Sequence, residues 1–249
     1  MSVSYAVVDG VAWLTIERPE ARNALSAAVR EGLWDGVRRF NDDHGAGVLV
    51  VTGAGDKAFC AGGDLKEMAS SALEVPPPDF LPLPGRNVEV PKPTIAAVNG
   101  VAFAGGFALA QHCDLCIAAD HARFAITEAK VGRGSPWAAP LPRLIPPRVA
   151  MELVITAAPI TAERAHQIGL VNEVVPLADL RDRVQAVAQT ILANAPLSVR
   201  AAKRTIELAA PPIPWDEIDA LWEPVYRSAD AQEGPAAFGE GRAPRWQGR

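Results

Sequence analysis

Cysteine is scarce in this chain, three residues in 249. Cys60, Cys113 and Cys116 cannot all pair with one another, which excludes the disulfide framework of a small secreted domain. Runs of basic residues are also missing. Lys and Arg number 24 against 29 Asp and Glu, for a net charge of −5, whereas a nucleic-acid binder gathers its cations into a patch or stripe. DNA and RNA are therefore not expected as partners. No stretch approaches the roughly 18 continuous apolar residues of a membrane helix. The start, MSVSYAVVDGVAWLTI, has no positive charge ahead of its apolar residues, unlike a signal peptide. A soluble cytoplasmic chain with free thiols is the expectation. No Gly-x-Gly-x-x-Gly opens a helix after a strand with an acidic partner downstream, so a dinucleotide cofactor has no support. His112-Cys113 and Cys116 lack the paired spacing of a zinc site, and no metal is expected.

What is present is apolar mass in an alternating pattern. Hydrophobic residues make up 49% and charged residues 21%, enough for a sizeable core in one large domain or one domain with a small appendage. Asp9-Gly10 separates two β-branched runs, Val3 to Val8 and Val11 to Ile16, as in a hairpin. Ser26 is placed to cap a helix running to about Phe40 with Leu33, Val37 and Phe40 on one face. The uninterrupted apolar run from Gly47 to Thr52 predicts a strand covered on both faces. Thr94 to Val98 and Leu115 to Ala118 read the same way, with a short helix at Gly105 to Gln111 between them. Strands alternating with helices predict an α/β fold. Seven prolines between Glu74 and Pro93 exclude regular helix and central strand there and suggest a lid or binding loop. From Met151 onward the pattern turns helical, at about 147–157, 161–168, 177–194, 196–209 and 215–229, with a short strand at Val171 to Val175. The polar tail from Gly239 carries Trp246, as though pinned.

Two segments carry the chemistry. Ala58-Phe-Cys-Ala-Gly-Gly-Asp-Leu-Lys-Glu-Met68 follows a buried strand and leads into a helix. Its glycines let backbone approach a ligand closely, and amides near a helix start favour negative charge. Asn99-Gly-Val-Ala-Phe-Ala-Gly-Gly-Phe-Ala-Leu-Ala110 repeats the design. Each alone also reads as a tight strand-to-helix turn; two of them could converge on one oxygen.

Together these segments resemble the enoyl-CoA hydratase/isomerase (crotonase) superfamily. The resemblance extends through Glu17 to Leu25, Asp114 to Ala119, Arg123-Phe124, Pro142-Arg143, Pro159 to Glu163, Gly169 to Asn172, Ala195-Pro196 and Ala201 to Arg204. It implies an α/β fold with a crotonase-like ββα spiral core over 1–195, holding the CoA site and oxyanion hole. It also implies a C-terminal helical oligomerisation region over 196–249 that builds a homotrimer or a hexamer. The implied substrate is an acyl-CoA thioester; coenzyme A enters as part of it and no separate cofactor is implied. The amides of Gly63 and Gly105 match the family's oxyanion hole. Arg22, Ala24, Leu25, Ala61, Asp64 and Leu65 match positions along the CoA, and Phe238 matches one that lies against the CoA of a neighbouring subunit.

The chain departs from the hydratase pattern at one of two glutamates. Glu128 matches the second; Ala108 stands where the first belongs, and alanine neither holds nor activates water. A carboxyl beside an apolar pocket can have its pKa raised toward the working pH. One glutamate without the other is the pattern of family members that shuttle a proton within the substrate, as Δ3,Δ2-enoyl-CoA isomerases do. Hydration stays open, as do C–C hydrolysis or decarboxylation of a CoA ester and acyl-CoA binding without catalysis. Gly132-Arg-Gly-Ser-Pro-Trp-Ala138 is shorter than the corresponding hydratase segment; Arg133 and Trp137 there either reshape the acyl pocket or, for Trp137, pack in the core. Asp114 is expected to orient the Gly105 turn, and Lys203 and Arg204 to lie on a solvated helix face.

Overall fold

The computed structural model describes residues 2–64, 67–68 and 75–249. Leu65 and most of the helix expected after Asp64 lie outside the described residues. Strands β1 (Val3–Val8) and β2 (Val11–Ile16) form the expected hairpin, with Val8 opposite Val11. Asp9 and Gly10 both take positive φ, 49° and 77°, the pair of values that matches a two-residue turn to the twist of its strands. The chain then lays down strand pairs: β3 (Val48–Gly53) with β4 (Ala58–Cys60), β5 (Thr94–Val98) with β6 (Val101–Phe103), and β7 (Leu115–Ala119) with β8 (Arg123–Ala125). The first member of each pair joins a six-stranded sheet ordered β1-β2-β3-β5-β7-β10, and the second a four-stranded sheet ordered β4-β6-β8-β9. Strands β9 (Ile160–Thr161) and β10 (Glu173–Val175) close the two edges. This is the repeated two-strand spiral that the resemblance implies.

Helix α1 (Ala27–Asp42) starts where Ser26 accepts a hydrogen bond from the Val29 amide, and it buries Leu33, Val37 and Phe40. Its last turn is closed by the buried Lys92, whose Nζ donates to the carbonyls of Phe40, Asp43 and Ala46. Helix α2 (Gly105–Gln111) follows β6, and α3 (Leu141–Leu144), α4 (Pro147–Thr156) and α5 (Ala162–Gln167) follow β8. Helix α6 (Leu177–Leu192) covers the outer face of the large sheet, packing Leu180, Val184 and Ala188 on Val48, Val50, Ile95 and Ile117. Leu49 and Val51 point the other way, into the core with Phe59, Phe107 and Phe124. An uninterrupted apolar strand is what such two-sided burial requires.

Helices α7 (Pro196–Ala209), α8 (Trp215–Arg227) and α9 (Ala229–Glu240) complete the chain. Helix α9 was not among the helices the sequence pattern predicted, because Gly234, Pro235 and Gly239 read as breakers. The tail is indeed pinned, though by backbone and not by Trp246, which is half exposed. Asp230 accepts from the amides of Gln247 and Gly248 at 2.7 and 2.9 Å, and Glu233 from that of Arg245 at 2.7 Å. Lys203 is not on a solvated face: its Nζ donates to Asp114 at 2.7 Å and to the Lys92 carbonyl at 3.1 Å. Asp114 accordingly does not orient the Gly105 turn; it accepts from the amide and hydroxyl of Thr94 and ties α7 to the start of β5. Arg204 does lie exposed, paired with Glu207. Among the described residues no helix is long and apolar enough to cross a membrane, and no group of three or more potential ligands could hold a metal.

Candidate active site

Three neighbouring parallel strands of the small sheet deliver three groups to one place. The turn after β4 presents Gly63, the turn after β6 presents Gly105, and the segment after β8 presents Glu128. Parallel register (Cys60 opposite Ala102, Phe103 opposite Ala125) aligns the carboxyl ends of these strands, the end at which parallel sheets hold ligands. Gly63, Gly105 and Glu128 all line one cavity of about 520 Å³.

Close approach of the two glycine turns is built into the backbone. Gly62 sits at φ +94°, and a Cβ there would lie 2.6 Å from the Ala104 Cβ. Gly106 fits only as glycine, since an added Cβ would meet the Cys60 carbonyl oxygen at 2.1 Å. Ala104 itself takes φ 52°, ψ −124°, a conformation that costs an L-residue about 1–3 kcal/mol. The strain turns the chain sharply from β6 into α2 and leaves the Gly105 amide at the helix start, where no carbonyl within the helix can accept from it. Buried asparagines hold the surrounding turns. Asn99 bonds Gly53 on both its amide and its carbonyl, at 3.2 and 2.8 Å. Asn23, fully buried, donates to the carbonyls of Ala58 and Ala54.

Glu128 is 8% exposed. Its Oε1 accepts a 3.0 Å hydrogen bond from the indole Nε1 of Trp137, and its Oε2 has no partner. Burial penalises the carboxylate, and the pKa rises from 4.5 to about 8 despite the bond from Trp137. At neutral pH this carboxyl is mostly protonated.

The rest of the wall comes from the proline-rich loop and from α8. Residues Pro76–Pro78, Phe80, Leu81 and Leu83 supply apolar surface, and Arg133, Trp137 and Tyr226 continue it. Trp137 belongs both to this wall and to the core. The loop is ordered by Asn87, which bonds the carbonyls of Pro78 and Leu81 and the amide of Leu83. Arg86 reaches from the loop to Asp219 of α8 at 2.7 Å, with its guanidinium 4.7 Å from the Trp215 ring centre. Arg133 lies over the ring of Tyr226, whose hydroxyl donates to the Gly134 carbonyl. Sequence reasoning missed the part played by α8: Asp216, Asp219, Glu223 and Tyr226 all face the cavity. The signal available was an amphipathic helix with aromatics on it, which does not say which part of the fold it covers.

Of the other expected site residues that the structure describes, one belongs to the cavity wall. Ala61 lines it. Leu25 is fully buried behind the Gly105 turn, and its amide donates to the Gly62 carbonyl at 2.8 Å. Arg22 is exposed, at φ 51°, with its carbonyl bonded to the Ala61 amide. Ala24 is buried beside it, and its carbonyl accepts from Arg18, which also pairs with Asp64 at 3.2 Å. Phe238 is 60% exposed on α9 and is not part of the cavity wall. Ala108 is fully buried in the core and contributes nothing to the wall.

Residues 7–249 match the family described as Enoyl-CoA hydratase/isomerase. The chain is similar to the carnitinyl-CoA dehydratase of Salmonella typhi, 38% identical over 95% of this chain and 94% of that protein. Among solved structures it is similar to the carnitinyl-CoA hydratase of Mycobacterium avium, with a TM-score of 0.88 and 38% identity over 100% of this chain and 99% of that one. It is also similar to a methylmalonyl-CoA decarboxylase solved with 2-nitronate-propionyl-CoA, with a TM-score of 0.86 and 28% identity over 100% and 99% of the two chains.

Proposed function

Because this chain belongs to the enoyl-CoA hydratase/isomerase family and is an acyl-CoA enzyme of that type, we propose that it moves a double bond in an enoyl-CoA thioester, with Glu128 as its single acid/base. The observation that carries this reading is the buried carboxyl of Glu128 in the cavity shared with the two glycine turns, with Ala108 in the core. The Gly63 and Gly105 amides would receive the thioester oxygen. Ionised Glu128 takes a proton from C2 of a 3-enoyl-CoA; the electron pair delocalises through the double bond onto the thioester oxygen; the same carboxyl returns the proton at C4. Preorganised amides at such an oxygen are worth about 3–4 kcal/mol each in a transition state. No bound water enters the sequence.

Arg22, Ala24, Leu25, Ala61, Asp64 and Leu65 are assigned to the coenzyme A moiety, and Phe238 to that of a neighbouring subunit. Its exposure suits a contact outside its own chain. Assembly as a homotrimer or a dimer of trimers is part of the proposal. Helix α7 has no buried residue, and Leu197 and Ile206 are 80% and 75% exposed on it; so much exposed apolar side chain on one helix is usual for a subunit interface.

A second reading is dehydration of a 3-hydroxyacyl-CoA. It is favoured by the names of the relatives and by Glu128 holding its proton at neutral pH, ready for a leaving hydroxyl. Incubation with 3-enoyl-CoA and with 2-enoyl-CoA, beside Glu128→Gln, separates them. Conversion of 3-enoyl to 2-enoyl product with no 3-hydroxyacyl-CoA, lost in the variant, supports isomerisation. Hydroxyacyl product overturns it in favour of the second reading, and turnover of neither overturns both.

A further inference from the structure

We propose that Trp137 is the positioning residue of this site: its indole N–H holds Oε1 of Glu128, which leaves Oε2 as the oxygen that carries the proton. The inference rests on Glu128 being the acid/base. A carboxyl has two oxygens and a rotatable end, and proton transfer to a fixed substrate needs one of them in a fixed place. Trp137 donates to Oε1 at 3.0 Å, while Oε2 is buried without a partner. A buried acceptor left empty ordinarily costs stability. Here it is the oxygen with spare capacity on a residue that lines the cavity.

Trp137 is itself fixed from two sides. Its ring packs on Phe107, with centres 5.7 Å apart, and Phe107 meets Phe124 edge-on. Its carbonyl accepts from Nε2 of Gln111 at 2.8 Å and faces Nε2 of His112 at 3.3 Å. Phe107, Gln111 and His112 belong to α2 or its C-terminal cap. That helix also carries Gly105, so the amide on one side of the cavity and the orientation of the base on the other are set by one rigid element. A tryptophan that only filled space would not need its N–H.

Two replacements at 137 separate hydrogen bond from shape. Trp137→Phe removes the N–H and part of the ring. Site-specific incorporation of 3-benzothienylalanine keeps the ring system and puts sulfur in place of the N–H. The readout is the infrared band of the protonated Glu128 carbonyl, identified by its absence in Glu128→Gln and titrated with pH. The other charged or titratable groups around it are Arg133 and Lys130 on its own segment, Tyr226, Asp216, Asp219 and Glu223 of α8, Arg86 of the proline-rich loop and His112 behind Trp137. All are unchanged in the comparison. Loss of a bond that favours the carboxylate should move the midpoint upward by about one pH unit and the band to higher frequency in both variants. A benzothienyl protein with unmoved band and midpoint overturns the role of Trp137. The measurement uses no substrate, so it stands whether or not wild type turns over enoyl-CoA, and failure of the proposed reaction is read separately from failure of this inference.

Discussion

Replacing Glu128 by Gln should stabilise the fold, increasingly so as the pH rises. In the unfolded chain this carboxyl ionises near 4.5; in the folded protein it ionises near 8 because burial penalises the charge. Between those values the unfolded state releases a proton that the folded state keeps, so ionisation favours unfolding. The cost is absent well below pH 4.5, grows as pH rises, and levels off above 8 at about 5 kcal/mol, an upper bound from the full shift. Linkage puts the cost at about 1 kcal/mol at pH 5, about 3 at pH 7 and about 5 at pH 9. Gln carries no such cost, and its carbonyl can still accept from the Trp137 indole. The stability difference between variant and wild type should therefore grow by about 2–3 kcal/mol from pH 5 to pH 7. For a chain of this size that is a relative Tm gain of about 5–10 °C. Thermal unfolding of both proteins at pH 5, 7 and 9, at matched protein concentration, measures it, and every other titrating group cancels in the difference. Parallel pH profiles would refute the reasoning, because they would mean that Glu128 ionises in the folded protein as it does in the unfolded chain.

Catalysis should show the same group from the other side: as a base, Glu128 should make C2 proton exchange of a bound acyl-CoA in deuterated water rise with pH and level off above about 8, whereas a fall over that range would show that the acid form is the active one. Ala104→Gly relieves the positive φ at the start of α2 and should raise stability by about 1 kcal/mol, read as a higher Tm. Lys92→Met leaves the carbonyls of Phe40, Asp43 and Ala46 without their common donor and should cost about 2–4 kcal/mol in urea unfolding. Ile206→Glu, on the exposed face of α7, should lower the sedimenting mass if that face joins subunits; an unchanged mass would remove it from the interface.

Much of the fold was legible because local chemistry and tertiary environment agree. Asp9-Gly10 made the hairpin by supplying two positive φ values, and Ser26 opened α1 by capping it. The runs at 47–52 and 94–98 announced strands buried on both faces, since only such strands can dispense with alternation. The glycines at 62, 63, 105 and 106 signalled close backbone approach, and Glu128 stood out by its spacing within a known pattern. What one dimension could not contain is who faces whom. Lys203 and Asp114 lie 89 positions apart, and nothing in either neighbourhood reveals that the middle of α7 lies beside the start of β5. Helix α8 reads as amphipathic in sequence, but its assignment to the cavity wall depends on its packing against the segment at Pro136–Ala138. The same holds for the pKa of Glu128: the residue is written in the sequence, while the burial that raises it and the indole that orients it exist only once the strands and α2 have been brought together.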